Sequence, residues 1–106
     1  KSGLKPIYDE LLRLGFSLGE DVKASPCKTM VPLYRRHVFA QIKPTTRTRI
    51  DLGLALGKTE ASGLLIDTGG LAKGDRITHR IAIESLAAIN REVKQWLKTA
   101  YQMDAA

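Results

Sequence analysis

The sequence predicts an α+β fold: a mainly antiparallel sheet of about five strands, with N- and C-terminal helices packed on one face. Three observations predict it. Helical periodicity of apolar residues occurs only near the two ends of the chain. The segments between them alternate apolar and polar residues with period two. Their connections are mostly of hairpin length, which favours antiparallel neighbours. Both helices need the same apolar sheet face, so the opposite face is left to solvent.

Pro6 suits a first helical turn, where its missing N–H would have no partner anyway. Ile7, Leu11, Leu14 and Leu18 follow at helical spacing, which predicts a helix over 5–18. Gly15 weakens its last turn and Gly19 is a stop signal. Asp21 to Ser25 reads as a short extended segment. In Thr29 to Arg35, Thr29, Val31 and Leu33 share a face, and Pro32 argues that this strand lies at an edge or carries a bulge. Val38, Ala40 and Ile42 share a face of the segment from Val38 to Lys43. The clearest strand is Thr48 to Leu56, with Ile50, Leu52, Leu54 and Leu56 opposed to Arg49, Asp51, Gly53 and Ala55.

Residues 57–76 hold five glycines and read as a long loop, pinned by a short extra strand over Leu64 to Ile66. Loops of this length are often functional, and this one is expected to be the most mobile interior segment. Ile77, His79, Ile81 and Ile83 alternate as the final strand. Ser85 is a good N-cap for an amphipathic helix running to about Met103. Leu86, Ile89, Val93, Trp96, Leu97 and Ala100 form its apolar face, with Trp96 expected as a major core contact.

A chain of 106 residues suits a single domain over 1–106, without repeats or an internal linker. It opens on Lys, so the domain is expected to be the C-terminal part of a longer protein. Its apolar fraction of 43% argues against disorder, while no apolar run approaches the roughly 20 residues that span a bilayer. Cys27 stands alone, which leaves no internal disulfide and no cysteine-based metal site. A reducing compartment, the cytoplasm, is the expectation. The net charge of +6 is uneven: Lys23 to Lys58 holds eight basic residues against Asp51 alone, a local +7. Such clustering points to an anionic partner.

Several stretches, taken in order, resemble one family. They are Pro6-Ile7-Tyr8-Asp9-Glu10-Leu11, Lys28-Thr29-Met30-Val31, Phe39-Ala40-Gln41-Ile42-Lys43-Pro44, Arg49-Ile50-Asp51-Leu52-Gly53-Leu54, Thr78-His79-Arg80-Ile81 and Trp96-Leu97-Lys98-Thr99-Ala100-Tyr101. Together they are similar to the bacterial domain-of-unknown-function family 5655, over nearly the whole chain. The resemblance implies the element order and a place after a small helical domain of family 4287. It implies no activity and no catalytic residue. Met30 departs from the family pattern, which usually has an aromatic residue there.

Local motifs for catalysis are missing. Gly53-Leu-Ala-Leu-Gly57-Lys58-Thr59 imitates a phosphate-binding loop, but its first glycine is one residue too close and no helix pattern follows Thr59. By parity His79 faces the core, where backbone hydrogen bonding is the simplest role, and His37 reads as exposed at a turn. Asp9, Glu10, Glu20 and Asp21 read as solvated surface acids. No catalytic residue, metal ligand or cofactor is assigned, and a non-enzymatic role is favoured.

The open sheet face is the candidate working surface. Parity places Lys43, Arg49 and Arg80 there with Gln41 and Asp51, and Arg47 on the same side. Phe39 shares that parity, and Tyr34 is a further aromatic candidate. Basic groups around an aromatic on a sheet are the components of single-strand nucleic-acid platforms. The leading expectation is a non-catalytic module binding nucleic acid or another anionic partner through Lys43, Arg47, Arg49, Arg80 and Phe39. One alternative is a protein-interaction or dimerisation domain using the Thr29–Arg35 strand. Another is an enzyme acting on a phosphorylated small molecule held by Lys58, Lys73 or Arg76. No membrane partner is expected.

Overall fold

The structure is a computed structural model and describes residues 2–104. Helix α1 (Lys5–Ser17) is followed by strands β1 (Lys23–Ala24), β2 (Val31–Tyr34), β3 (Val38–Pro44), β4 (Ile50–Leu54) and β5 (Ile66–Asp67). Then come a single-turn helix α2 (Gly70–Lys73), strand β6 (His79–Ile83) and helix α3 (Arg91–Met103). One six-stranded sheet has the order β1-β2-β3-β4-β6-β5, with antiparallel pairing throughout. The α+β prediction holds, the sixth strand being the short one expected inside the long loop.

Both long helices pack on one sheet face. Ile7 and Leu11 of α1 join Val93, Leu97 and Ala100 of α3 over Ile42, Ile50, Leu52, Leu54 and Ile81. Gly15 lets α1 approach the sheet closely: a Cβ there would stand 2.7 Å from Leu33 Cδ1. The C-terminal helix starts later than Ser85 suggested. Ser85 caps only a 3-10 turn (Leu86–Ala88), and α3 begins after Asn90, whose Oδ1 accepts from Val93 N at 3.1 Å. An Asn side chain at an N-cap satisfies one of the four free amides of a new helix. With Val93, Leu97 and Ala100 inward, Trp96 is turned roughly 60° off the packed line. It is only partly buried, and its Nε1 donates to Glu92 Oε2 at 3.3 Å.

β2 is not the edge, because β1 covers its outer side. The Pro32 carbonyl accepts from Ser25 N at 3.2 Å, so the missing Pro32 donor also points outward, where the pairing ends. The register slips between Leu33 and Tyr34: Leu33 pairs with Ala40 and Tyr34 with Val38, leaving Phe39 as an extra residue. Val38 therefore belongs to the open face and not with Ala40 and Ile42, whereas Phe39 turns inward. Phe39 is fully buried, edge-on to Tyr101 of α3 at 5.6 Å between centroids.

The long loop is tied down at several points. Leu65 is buried, and Thr68 N donates to Thr78 O at 3.0 Å. His79 is the core histidine anticipated by parity. Its ring nitrogens lie 2.7 Å from Thr78 Oγ1 and 2.7 Å from the Thr59 carbonyl, which fastens the start of the loop to β6.

Candidate nucleic-acid interface

On the helix-free face, cross-strand pairing lines up Pro32, Gln41, Gly53, Arg80 and Ile66. The next row holds Lys43, Asp51 and Ala82. Gly53 puts no side chain at the centre of the first row. Gln41 Cγ and Ile77 Cγ2 close over it, 2.7 and 2.9 Å from where a Cβ would stand. The face is therefore low in the middle. The β1–β2 connection, with Cys27 and Met30, rises on one side, and Thr68, Lys73 and Arg76 rise on the other. The resulting groove has a volume of about 660 Å³, within the range of small-ligand sites.

Its charge is organised around Asp51. Thr45 Oγ1 donates to Asp51 Oδ2 at 2.7 Å, and Arg80 Nη1 donates to Oδ1 at 3.3 Å. Arg49 Nε lies 3.2 Å from Oδ1 but off hydrogen-bond geometry, which leaves this buried nitrogen without an acceptor. Lys43 pairs across the strands with Asp51 and is exposed. Two guanidiniums thus flank one carboxylate whose side chain is only 13% exposed, and Lys43 stands on the neighbouring strand without an ion pair among the described residues. The guanidiniums keep spare donors, and their positive field is incompletely neutralised.

Arg76 is fixed in the wall. Its Nε donates to Val38 O at 2.9 Å and its Nη2 to Asp104 Oδ1 at 2.7 Å. Asp104 also accepts from the backbone amides of Arg36 and His37, both at 2.8 Å, and stands 2.9 Å from His37 Nδ1. Burial pushes this carboxyl up. The hydrogen bonds from His37 and Arg36, together with the Arg76 charge, outweigh burial and hold it below the usual carboxylate value. One carboxylate at the end of α3 thus secures both the β2–β3 turn and the groove wall.

Lys43, Arg49 and Arg80 lie together as parity suggested. Two expected members lie elsewhere. Arg47 sits in the turn between β3 and β4, where Thr45 N and Thr46 N both donate to Arg49 O. Strand parity does not extend through a turn, and Arg47 instead lines a second cavity with Lys5, Tyr8 and Ile50. Phe39 is in the core, so Tyr34 is the aromatic that borders the groove. Lys73 and Arg76 join the groove, whereas strand periodicity gave no reason to place them there; only their charge and loop position singled them out. Lys58 does not line it.

Among the described residues, no group of three or more His, Cys, Asp or Glu side chains could hold a metal ion. Among the same residues, no helix is long and apolar enough to cross a membrane. No curated protein and no solved structure matches the chain. The model of the domain of unknown function DUF5655 matches residues 1–104, and the chain belongs to that family.

Proposed function

We propose that the domain is a non-catalytic module that binds single-stranded nucleic acid in the groove on its open sheet face. The observation that carries this reading is the pairing of Arg49 and Arg80 with Asp51, with Lys43, unpaired among the described residues, on the next strand, beside an apolar strip of Val38, Ile77 and Pro32. Phosphates need the cations, and unstacked bases need apolar or aromatic surface. A duplex, whose bases are turned inward, would leave that strip unused. The exposed free thiol of Cys27 fits the same reading, with the module at work in a reducing bacterial cytoplasm.

Titration of a labelled single-stranded oligonucleotide by fluorescence anisotropy tests the proposal. Binding at low salt that weakens steeply as salt rises is expected, because each neutralised phosphate releases counterions. No binding at low salt overturns it. A second reading, a phosphorylated small molecule, is favoured by the groove volume and by Lys73 and Arg76 in the wall. It predicts that a mononucleotide binds as tightly as an oligonucleotide.

A further inference from the structure

Three hollows of the surface join into one path. The open-face groove shares Cys27 and Met30 with a smaller hollow over the β1–β2 connection. That hollow shares Tyr8 and Pro44 with a cavity of about 680 Å³ beside the N-terminal part of α1. Thr45 lines both outer cavities. The path therefore leaves the open face, crosses the sheet end at Pro44 and Thr45, and continues along α1.

Each stage offers a cation beside apolar surface. Lys43 and Arg80 stand by Val38 and Ile77 in the groove, Lys28 by Met30 and Val31 at the crossing, and Arg47 by Tyr8 and Ile50 at the far end. Among the described residues, Lys28, Lys43 and Arg47 form no ion pair. Tyr8 is partly buried against the core and lines the cavity wall. From Gln41 to the end of β3 the strand rises by about 10 Å, and the path then continues past the turn.

We infer that a single nucleic-acid strand occupies this whole path, with Arg47 as a phosphate contact for the part that has left the sheet and Tyr8 as a stacking surface. This deepens the proposed function and rests on it. Repetition of cation and apolar surface along a bent path matches a chain whose phosphates and bases alternate. It also gives Arg47 a role on a different side from Arg80. Site sizes of about 4–16 nucleotides are usual for sheet-based single-strand binders, so a strand of this kind can span more than one hollow.

The test compares oligothymidylates of about three and about ten nucleotides on the intact domain, a pair that brackets the lower part of that range. The longer strand is expected to bind much more tightly, since its second half engages a tethered site at high effective concentration. In Arg47→Glu the affinity ratio of long to short strand is expected to fall by about tenfold, through loss of one contact and like-charge repulsion. Tyr8→Ala should reduce the same ratio. Because Tyr8→Ala also touches the core, Arg47→Gln serves as the folding-neutral check, and thermal melting confirms that each variant is folded. Wild-type binding with a ratio unchanged in Arg47→Glu and Arg47→Gln overturns the extended path while leaving the groove intact. No binding of either strand by the wild type overturns both the path and the groove. Equal affinity for a polyglutamate of matching length overturns the choice of nucleic acid as the occupant.

Discussion

Arg76 Nη2 donates to Asp104 Oδ1 at 2.7 Å across 28 positions of sequence, and joins the end of α3 to the wall of the groove. The carboxylate has three further donors nearby and is almost wholly shielded from water. Loss of a partner from a buried charged network is costly, since the remaining donors are left unpaired.

Asp104→Asn should therefore lower stability by about 1–3 kcal/mol at neutral pH. The folded-state pKa of Asp104 is depressed, so its contribution is complete above the unfolded carboxylate value and lost as pH falls through the folded value. The stability gap between wild type and Asp104→Asn, measured by urea denaturation, should stay constant near neutrality and close below about pH 4. A gap that persists unchanged at lower pH would contradict the assignment.

Phe39→Ala and Tyr34→Ala should separate core from surface. Phe39 is fully buried against Tyr101, and its truncation should cost about 3–5 kcal/mol. Tyr34 is 36% exposed at the groove, so its truncation should cost much less stability. If bases stack on this face, Tyr34→Ala should weaken oligonucleotide binding by about 1–3 kcal/mol. Equal stability losses in the two variants would show that the bulge is misplaced.

Arg49→Glu combined with Arg80→Glu should weaken oligonucleotide binding irrespective of sequence and reduce the slope of log K against log salt by about two. The reversals also leave the largely buried Asp51 beside two further carboxylates, so stability should fall as well, and binding is compared only after thermal melting shows that the double variant is folded. A double variant with unaltered affinity and salt slope would remove these residues from the interface.

His79→Leu should loosen the start of the long loop. The ring bridges Thr78 and the Thr59 carbonyl, and an apolar replacement leaves that carbonyl without its donor. Amide hydrogen exchange at Leu56 and Thr59, and at the buried Leu65 beyond them, should accelerate more than exchange within β3 and β4. Uniform acceleration through the sheet would instead mark His79 as a general core residue with no local tether.

The parts of the fold that follow simple periodicity were legible in the sequence. Ile50, Leu52 and Leu54 against Arg49 and Asp51 defined the two faces of β4, and His79, Ile81 and Ile83 defined the inner face of β6, whereas Ile77 precedes β6 and lies on the open face over Gly53. The resemblance to family 5655 agreed with that order and with the family match. What escaped was set by events that alternate patterns do not encode. One extra residue at Phe39 reverses its direction, and a bulge of this kind carries no composition signal beyond Pro32 nearby. Arg47 was assigned by continuing strand parity into a turn. Trp96 lies at the margin of the apolar stripe of α3, whose buried line is Val93, Leu97 and Ala100, so membership of the stripe overstates its burial. The cluster at Asp104 depends on contacts 28 to 68 positions apart, which no local motif reports.

The two outer strands of the sheet, β1 and β5, are each only two residues long. An edge that short exposes few free amides and carbonyls, too few to template the addition of a foreign strand. Lys23 on β1 and Asp67 on β5 add charge at the two margins, which further opposes backbone pairing with another chain. The sheet can therefore leave an entire face uncovered in a crowded cell without inviting the edge-to-edge polymerisation that threatens exposed β-structure.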